Sequence, residues 1–282
     1  MNTLFDLSTS GLLKISGPDA KQLLQGQFTC DVESVTPTRS CMGAHCNPQG
    51  RIISLFYLFQ FQDAYYLFLP RNMLPLTMAT LKKYALFYQV QLVDASDQLM
   101  AMGTSSPPAR ENGLAVIRLP SRAILIGEVA EVKTIWEALA QSSHLAALSA
   151  WECLNITEGI PTIYPETTGK FLPHEINLHQ LEGISFNKGC YTGQEIIARM
   201  HYRGKLKKHL YKARITSTTP PQPGLDLFSH QAGVKLASGI LVAACQEEDH
   251  NNYCVLLVTE EPHAKDHHLF LDNDPQTFTF IG

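Results

Sequence analysis

A chain of 282 residues, 45% hydrophobic and 17% charged, has the balance of a globular protein. At that length roughly 75% of the unfolded surface leaves water on folding, and about two domains are expected. A formal net charge of −4 excludes a global attraction to nucleic acid or anionic membrane, so any such attraction must be local.

The N-terminal MNTLFDLSTSGLLKISGPD lacks the basic start and long apolar core of a secretory signal. The most apolar stretch, IISLFYLFQF over Ile52–Phe61, is too short to span a bilayer and contains Ser54 and Gln60. Residence in the cytoplasm, away from membrane, is the expectation. The seven cysteines (30, 41, 46, 153, 190, 245 and 254) are odd in number and scattered, which predicts reduced thiols rather than a disulfide framework.

In chain order, Ser16-Gly17-Pro18-Asp19 reads as a helix start, with Ser16 as cap and a short helix over Ala20–Gly26. Ala44–Gly50 (AHCNPQG) is a turn by its Asn-Pro and Gly content. The β-type runs Ile52–Phe61 and Tyr65–Leu69 meet at Gln62-Asp63 and predict a hairpin. Met73–Tyr88 has helical spacing, with Lys82 and Lys83 on the wet face. Leu99–Met102 and Leu114–Leu119 are β-type runs flanking a loop over Gly103–Gly113, and Ala123–Gly127 is a third. Helices are expected over Val132–Gln141 and Leu145–Ile156. This mixture lacks a steady βαβ alternation, so the class is α+β. Thr216–Gly224 (TSTTPPQPG) is the best linker in the chain, and the runs Gly239–Ala244, Asn252–Thr259 and Thr277–Ile281 beyond it predict a small all-β unit from about residue 210.

The most chemically crowded stretch is NKGCYTGQEIIARMHYRGKLKK, Asn187–Lys208. Lys188 stands two residues before Cys190, Arg199 and Arg203 follow, and a helix starting near Gln194 would set its positive N-terminal end beside the thiol. Cations and helix dipole both favour a thiolate. The competing reading is a small buried hydrophobe, the usual state of a free cysteine. A carboxylate such as Glu195, helped by Gln194, can accept two parallel N–H bonds from a pterin or guanine edge; Glu195 and Arg199, at i and i+4, can equally form a surface ion pair. From Arg199 through Arg203, Lys205, Lys207, Lys208, Lys212 and Arg214 there is no acidic residue. Such a run suits RNA phosphates or a polyglutamate tail, or is simply a solvated face. Tyr202 and Tyr211 add stacking surface. Cys41, His45 and Cys46, and the pair His267-His268, carry no spacing typical of a metal site, so no metal is expected.

Lys188-Gly189-Cys190-Tyr191-Thr192-Gly193-Gln194-Glu195 matches the KGCYxGQE motif of the YgfZ-type folate-binding proteins, relatives of the glycine-cleavage T-protein (aminomethyltransferase). Ala198-Arg199 and Arg203-Gly204 resemble the AR…RG tail of that motif, and Phe171-Leu172-Pro173, Asn177-Leu178 and Gly183–Phe186 its lead-in. Leu23–Thr29, Ala44–Gly50 and Glu158-Gly159-Ile160-Pro161 are similar to further blocks, so the resemblance covers most of the chain. It implies an α+β ring of three subdomains: a composite folate-binding body over 1–209, made of two interleaved subdomains, and a small C-terminal β-barrel over 210–282.

The same resemblance implies binding of tetrahydrofolate, or a one-carbon derivative, and support for the assembly or repair of iron–sulphur enzymes, including one that methylthiolates tRNA. It makes Cys190 the key thiol, with Lys188 and Arg199 as electrostatic partners. Tyr191, Gln194, Glu195 and Arg203 would shape the folate site, and Glu175, in Pro173-His174-Glu175, would be a further folate ligand.

Two departures matter. Ser54 and Leu55 stand where the aminomethyltransferase branch has acidic residues, so its proton chemistry has no carboxylate there. Asn155 stands where the family often has arginine, so a salt bridge from that point is lost. Whether the chain is an enzyme stays open. The alternatives to an accessory factor are a folate-dependent one-carbon transferase or demethylase, and a non-enzymatic RNA-binding scaffold making a weak RNA contact.

Overall fold

The computed structural model describes residues 2–107, 113–231, 234–247, 251–265, 269–272 and 274–281. The His267-His268 pair and part of the expected 103–113 loop fall outside them. In chain order the strands and helices are β1 (Asn2–Asp6), β2 (Ser10–Ser16), α1 (Ala20–Gln27), β3 (Cys41–Cys46), β4 (Ile52–Phe61), β5 (Ala64–Pro70), α2 (Leu74–Ala85) and β6 (Gln91–Asp94). Then come β7 (Leu99–Thr104), β8 (Ala115–Arg118), β9 (Ala123–Glu128), α3 (Val129–Ala140), β10 (Ser143–Ala146), α4 (Leu148–Glu158) and α5 (Gln194–Arg203). The chain finishes with β11 (Lys208–Thr216), β12 (Asp226–Gln231), β13 (Val234–Gln246), β14 (Asn252–Glu260), α6 (Glu261–Lys265), β15 (Phe270–Leu271), β16 (Asp274–Thr277) and β17 (Thr279–Ile281).

Three sheets result. The first has the order β3-β4-β5-β2-β6, the second β10-β1-β7-β9-β8, and the third β16-β15-β12-β13-β14-β11-β17. The hairpin of β4 and β5 forms because Gln62 (φ 46°) and Asp63 (φ 59°) accept the left-handed conformation that a two-residue hairpin turn requires. Strand β5 reads as an unbroken apolar run because both its faces are buried. Tyr65, Leu67 and Leu69 enter the core shared with α1, α2 and the third sheet, whereas Tyr66 and Phe68 enter the core shared with the second sheet and Trp151.

Several expectations change in detail. Ser16 ends β2 and caps nothing; Asp19 is the N-cap residue of α1, and its carboxylate accepts from Gln89 N–H at 2.7 Å. Leu145 and Ala146 leave the helix expected over Leu145–Ile156 and join Ser143 and His144 in β10, which finds the open edge of β1 and pairs with it in parallel. The all-cysteine-reduced expectation also fails, since Cys153 and Cys245 form a disulfide across a sequence separation of 92. Helix α4 packs on β13 and brings their Cα atoms to 5.4 Å, a proximity that no local spacing discloses.

The third sheet stands where the small C-terminal β-barrel is expected, and it is an open sheet among the described residues. It curls around Ala213, Leu227, Leu241, Val255, Leu257 and Phe278 but stays open in its hydrogen bonding, with β16 and β17 at its two ends. No described helix is long and apolar enough to cross a membrane.

Candidate functional site

Between Gly159 and Gly193 the chain is almost free of regular structure, and its backbone is satisfied by distant partners. Ile52 N–H donates to Phe171 O (2.9 Å), Gly169 N–H to Ile52 O (2.8 Å) and Ser185 N–H to Thr29 O (2.8 Å), while the Thr29 hydroxyl donates to Gly183 O (2.6 Å). The start of α5 then meets the Asn47–Gly50 turn. Gly193, at φ 84°, leaves so little room that a Cβ there would lie 2.7 Å from Asn47 O and 3.0 Å from the Gly50 Cα. Two glycine-containing motifs far apart in sequence thus touch backbone to backbone. Thr192 fixes the contact, its N–H donating to Gly26 O (3.1 Å) and its hydroxyl to Gln27 Oε1 (3.0 Å).

Cys190 is exposed, three residues before the Gly193 N-cap of α5. Lys188 turns inward instead: its Nζ donates to Phe28 O and Cys30 O, both at 2.8 Å, and stands 5.0 Å from the centre of the buried Tyr191 ring. Burial pushes the Lys188 amine down to about 8. The Tyr191 hydroxyl is buried without a partner among the described residues, and burial pushes its pKa up. Gln194 is half-buried, while Glu195, Arg199 and Arg203 sit exposed along α5. The Glu175 carboxylate is committed locally, accepting from Leu172 N–H at 2.7 Å and standing 3.9 Å from Arg51 Nη1.

None of these side chains lines the roomiest of four cavities among the described residues. That cavity measures about 700 Å³ and lies between the stretch leading into β3, the β8–β9 turn, the end of α4 and the Gln180–Asn187 segment. Asp31, Arg39, Arg118, Glu158 and Glu182 bring charge to its wall. A smaller cavity of about 340 Å³ on the other side of Tyr57 is largely apolar and contains Glu152, whose carboxyl burial pushes up. Tyr57 lines both, and its buried hydroxyl has no partner among the described residues.

Sequence reasoning missed Arg122. Its buried guanidinium donates to Asn155 Oδ1 (2.6 Å), pairs with Glu158 (2.6 Å) and stacks 4.3 Å from the Trp151 ring centre. Asn155 forms no salt bridge of its own and instead accepts from Arg122, whose ion pair is with Glu158. Ser54 is buried, its hydroxyl without a partner among the described residues, and Leu55 is buried, so neither position offers a carboxylate. A histidine cluster was missed as well. The His174 ring centre lies 5.2 Å from that of His179 and 5.9 Å from that of His201, which stacks on Phe186 at 3.8 Å.

Residues 2–118 match the family described as the GCVT N-terminal domain. The chain is 31% identical to the tRNA-modifying protein YgfZ of Klebsiella pneumoniae, an alignment covering 88% of this chain and 82% of the relative. It is 33% identical to the protein of the same name from Sodalis glossinidius, with the same coverage. The chain belongs to the YgfZ family. A solved structure of the glycine cleavage system aminomethyltransferase T from Bartonella henselae superimposes with a TM-score of 0.74 over 100% of this chain and 85% of that one, at 14% identity. That likeness establishes the T-protein fold for this YgfZ-family member.

Proposed function

We propose that the chain binds tetrahydrofolate, or a one-carbon derivative of it, in the larger cavity. It would act in the cytoplasm as an accessory factor supporting assembly or repair of iron–sulphur enzymes, and so indirectly tRNA modification, through the Cys190 thiol. The observation that carries the reading is the wall of that cavity. Its size is in the range of small-molecule sites, and it combines carboxylates able to take a pterin amino edge with Arg39 and Arg118 for an anionic tail. The orphaned Tyr57 hydroxyl is a further polar group for a ligand to satisfy. Relatives named tRNA-modifying proteins support the link to tRNA, and Ser54 and Leu55 weigh against aminomethyl transfer. The folate would bring the one-carbon chemistry. This chain's own residues would bind and orient it, while Cys190 stays exposed for a client protein.

Calorimetric titration of tetrahydrofolate under anaerobic, reducing conditions tests the reading on wild type and Cys190→Ala. Equal binding by both, together with loss of client iron–sulphur activity in cells carrying the variant, is the expected result. Absence of binding by the wild type refutes the cavity assignment, and full client activity with the variant refutes the role of the thiol.

A second reading, a weak RNA contact, draws on α5 and the strand after it. Arg199, Arg203, Lys205 and Lys207 are exposed there, next to Tyr202 at 67% exposure. Cations and an open aromatic face are what single strands use. Retention of tRNA at low salt and release at high salt would support it; no retention at low salt would remove it.

A further inference from the structure

The larger cavity carries two thiols that the reading above does not use. The chain leaving α1 runs antiparallel beside β3: Phe28 bridges His45, and Thr29 exchanges bonds with Ala44, N–H to O at 2.9 Å and Oγ1 accepting from N–H at 2.9 Å. This register sets Cys30 opposite Gly43. A Cβ built on Gly43 would overlap Cys30 Sγ, so the bare backbone there is what gives the sulphur its place. Cys41 lies two residues before Gly43 on the same face of β3, so the register brings its side chain toward Cys30. Both line the cavity; Cys30 is 1% exposed, whereas Cys41 is half-buried. Arg39 and Lys188 face Cys41, and Lys188 is anchored on Cys30 O. Strand β3 ends its sheet, and the Phe28–Thr29 segment is bonded along its outer side, which holds the two cysteine-bearing stretches next to each other.

We propose that Cys41 and Cys30 form a thiol-oxidation site for a low-molecular-weight disulfide of the glutathione type, closing to a Cys30–Cys41 disulfide. Cys41, the more accessible thiol, loses its proton and attacks one sulphur of the small disulfide. The small S–S bond breaks, and the first thiol leaves with a proton. Cys30 then loses its proton and attacks Cys41 Sγ in the mixed disulfide, expelling the second small thiol, also protonated. Two protein thiols are oxidised and one small disulfide is reduced to two thiols. Cys30 beside it and burial push the Cys41 thiol up, against the pull of Lys188 and Arg39, so the thiolate is scarce and the exchange is slow. The product ties edge strand β3 to the segment leaving α1, on the cavity wall. This site is separate from Cys190 and does not depend on folate being the ligand.

The test treats the full chain with oxidised glutathione, alkylates the remaining thiols, and maps the proteolytic peptides by mass spectrometry. The expected wild-type product is a peptide pair joined through Cys30 and Cys41, distinct from the pair joined through Cys153 and Cys245. In Cys30→Ser, a glutathione adduct should persist on Cys41, with the thermal unfolding midpoint showing the variant folded. A wild-type protein whose Cys30 and Cys41 both remain alkylatable while Cys190 takes the adduct overturns the proposal. So does a stable, unresolved glutathione adduct on Cys41 in the wild type. The wild-type arms decide the matter even if the variant fails to fold.

Discussion

His174 is 5% exposed, and neither ring nitrogen finds a hydrogen-bond partner among the described residues. Burial first, and then the neighbouring His179 and His201, push its pKa down to about 4. The folded protein therefore refuses a proton that the unfolded chain accepts near the ordinary value of 6.5. Stability from this residue is complete above about pH 6.5 and is lost as pH falls toward 4, with a slope of at most about 1.4 kcal/mol per pH unit. Urea unfolding between pH 4.5 and 7 should show a shallower pH dependence for His174→Gln than for wild type, and equal slopes would show that another group carries the effect. Nothing in the sequence announced this cluster, because its members come from the 173–181 segment and from α5. Arg122 is equally silent: it is one arginine in a Pro-Ser-Arg-Ala turn, and its Asn155 partner is 33 residues away. Residues whose role lies in their own motif, such as Cys190, could be singled out; residues whose role lies in a distant partner could not.

Elements were more legible than their partners. The limits of β4 follow from its apolar run, and the hairpin from Gln62-Asp63, because those signals are local. Strand β10 was missed because its stability comes from pairing with β1 across the chain, with no pattern of its own. The start of α5 shows both kinds of information. Gly193 is visible in the motif, but its need for a positive φ and the absence of space for a side chain come from the Asn47–Gly50 turn. Gly193→Ala should cost about 2 kcal/mol, from the left-handed backbone and the displaced turn together. Gly189→Ala, with nothing within 4 Å of a built Cβ, should cost far less. Comparing the two in denaturant unfolding separates a steric requirement from mere motif membership.

At the scale of the whole molecule, the T-protein-like body and the β-rich end could be anticipated, but the covalent link between α4 and β13 could not. The Cys153–Cys245 bond spans 92 positions, a loop for which chain-entropy arguments give about 4.6 kcal/mol. Cys153→Ala/Cys245→Ala should lower the unfolding midpoint and become insensitive to reductant, whereas the wild type should fall toward the variant when reduced. An unchanged wild-type midpoint under reduction would show the bond to be thermodynamically idle.

The open third sheet has a consequence of another kind. Its two terminal strands, β16 and β17, are consecutive pieces of the same short tail, separated by the buried Phe278. Exposed strand edges are where proteins recruit one another into aggregates. Here residues 274–281 form both borders at once, one half lying along β15 and the other along β11. A sheet that never closes its ladder thus ends on two very short strands, of four and three residues, which offer little length for a further strand to pair with.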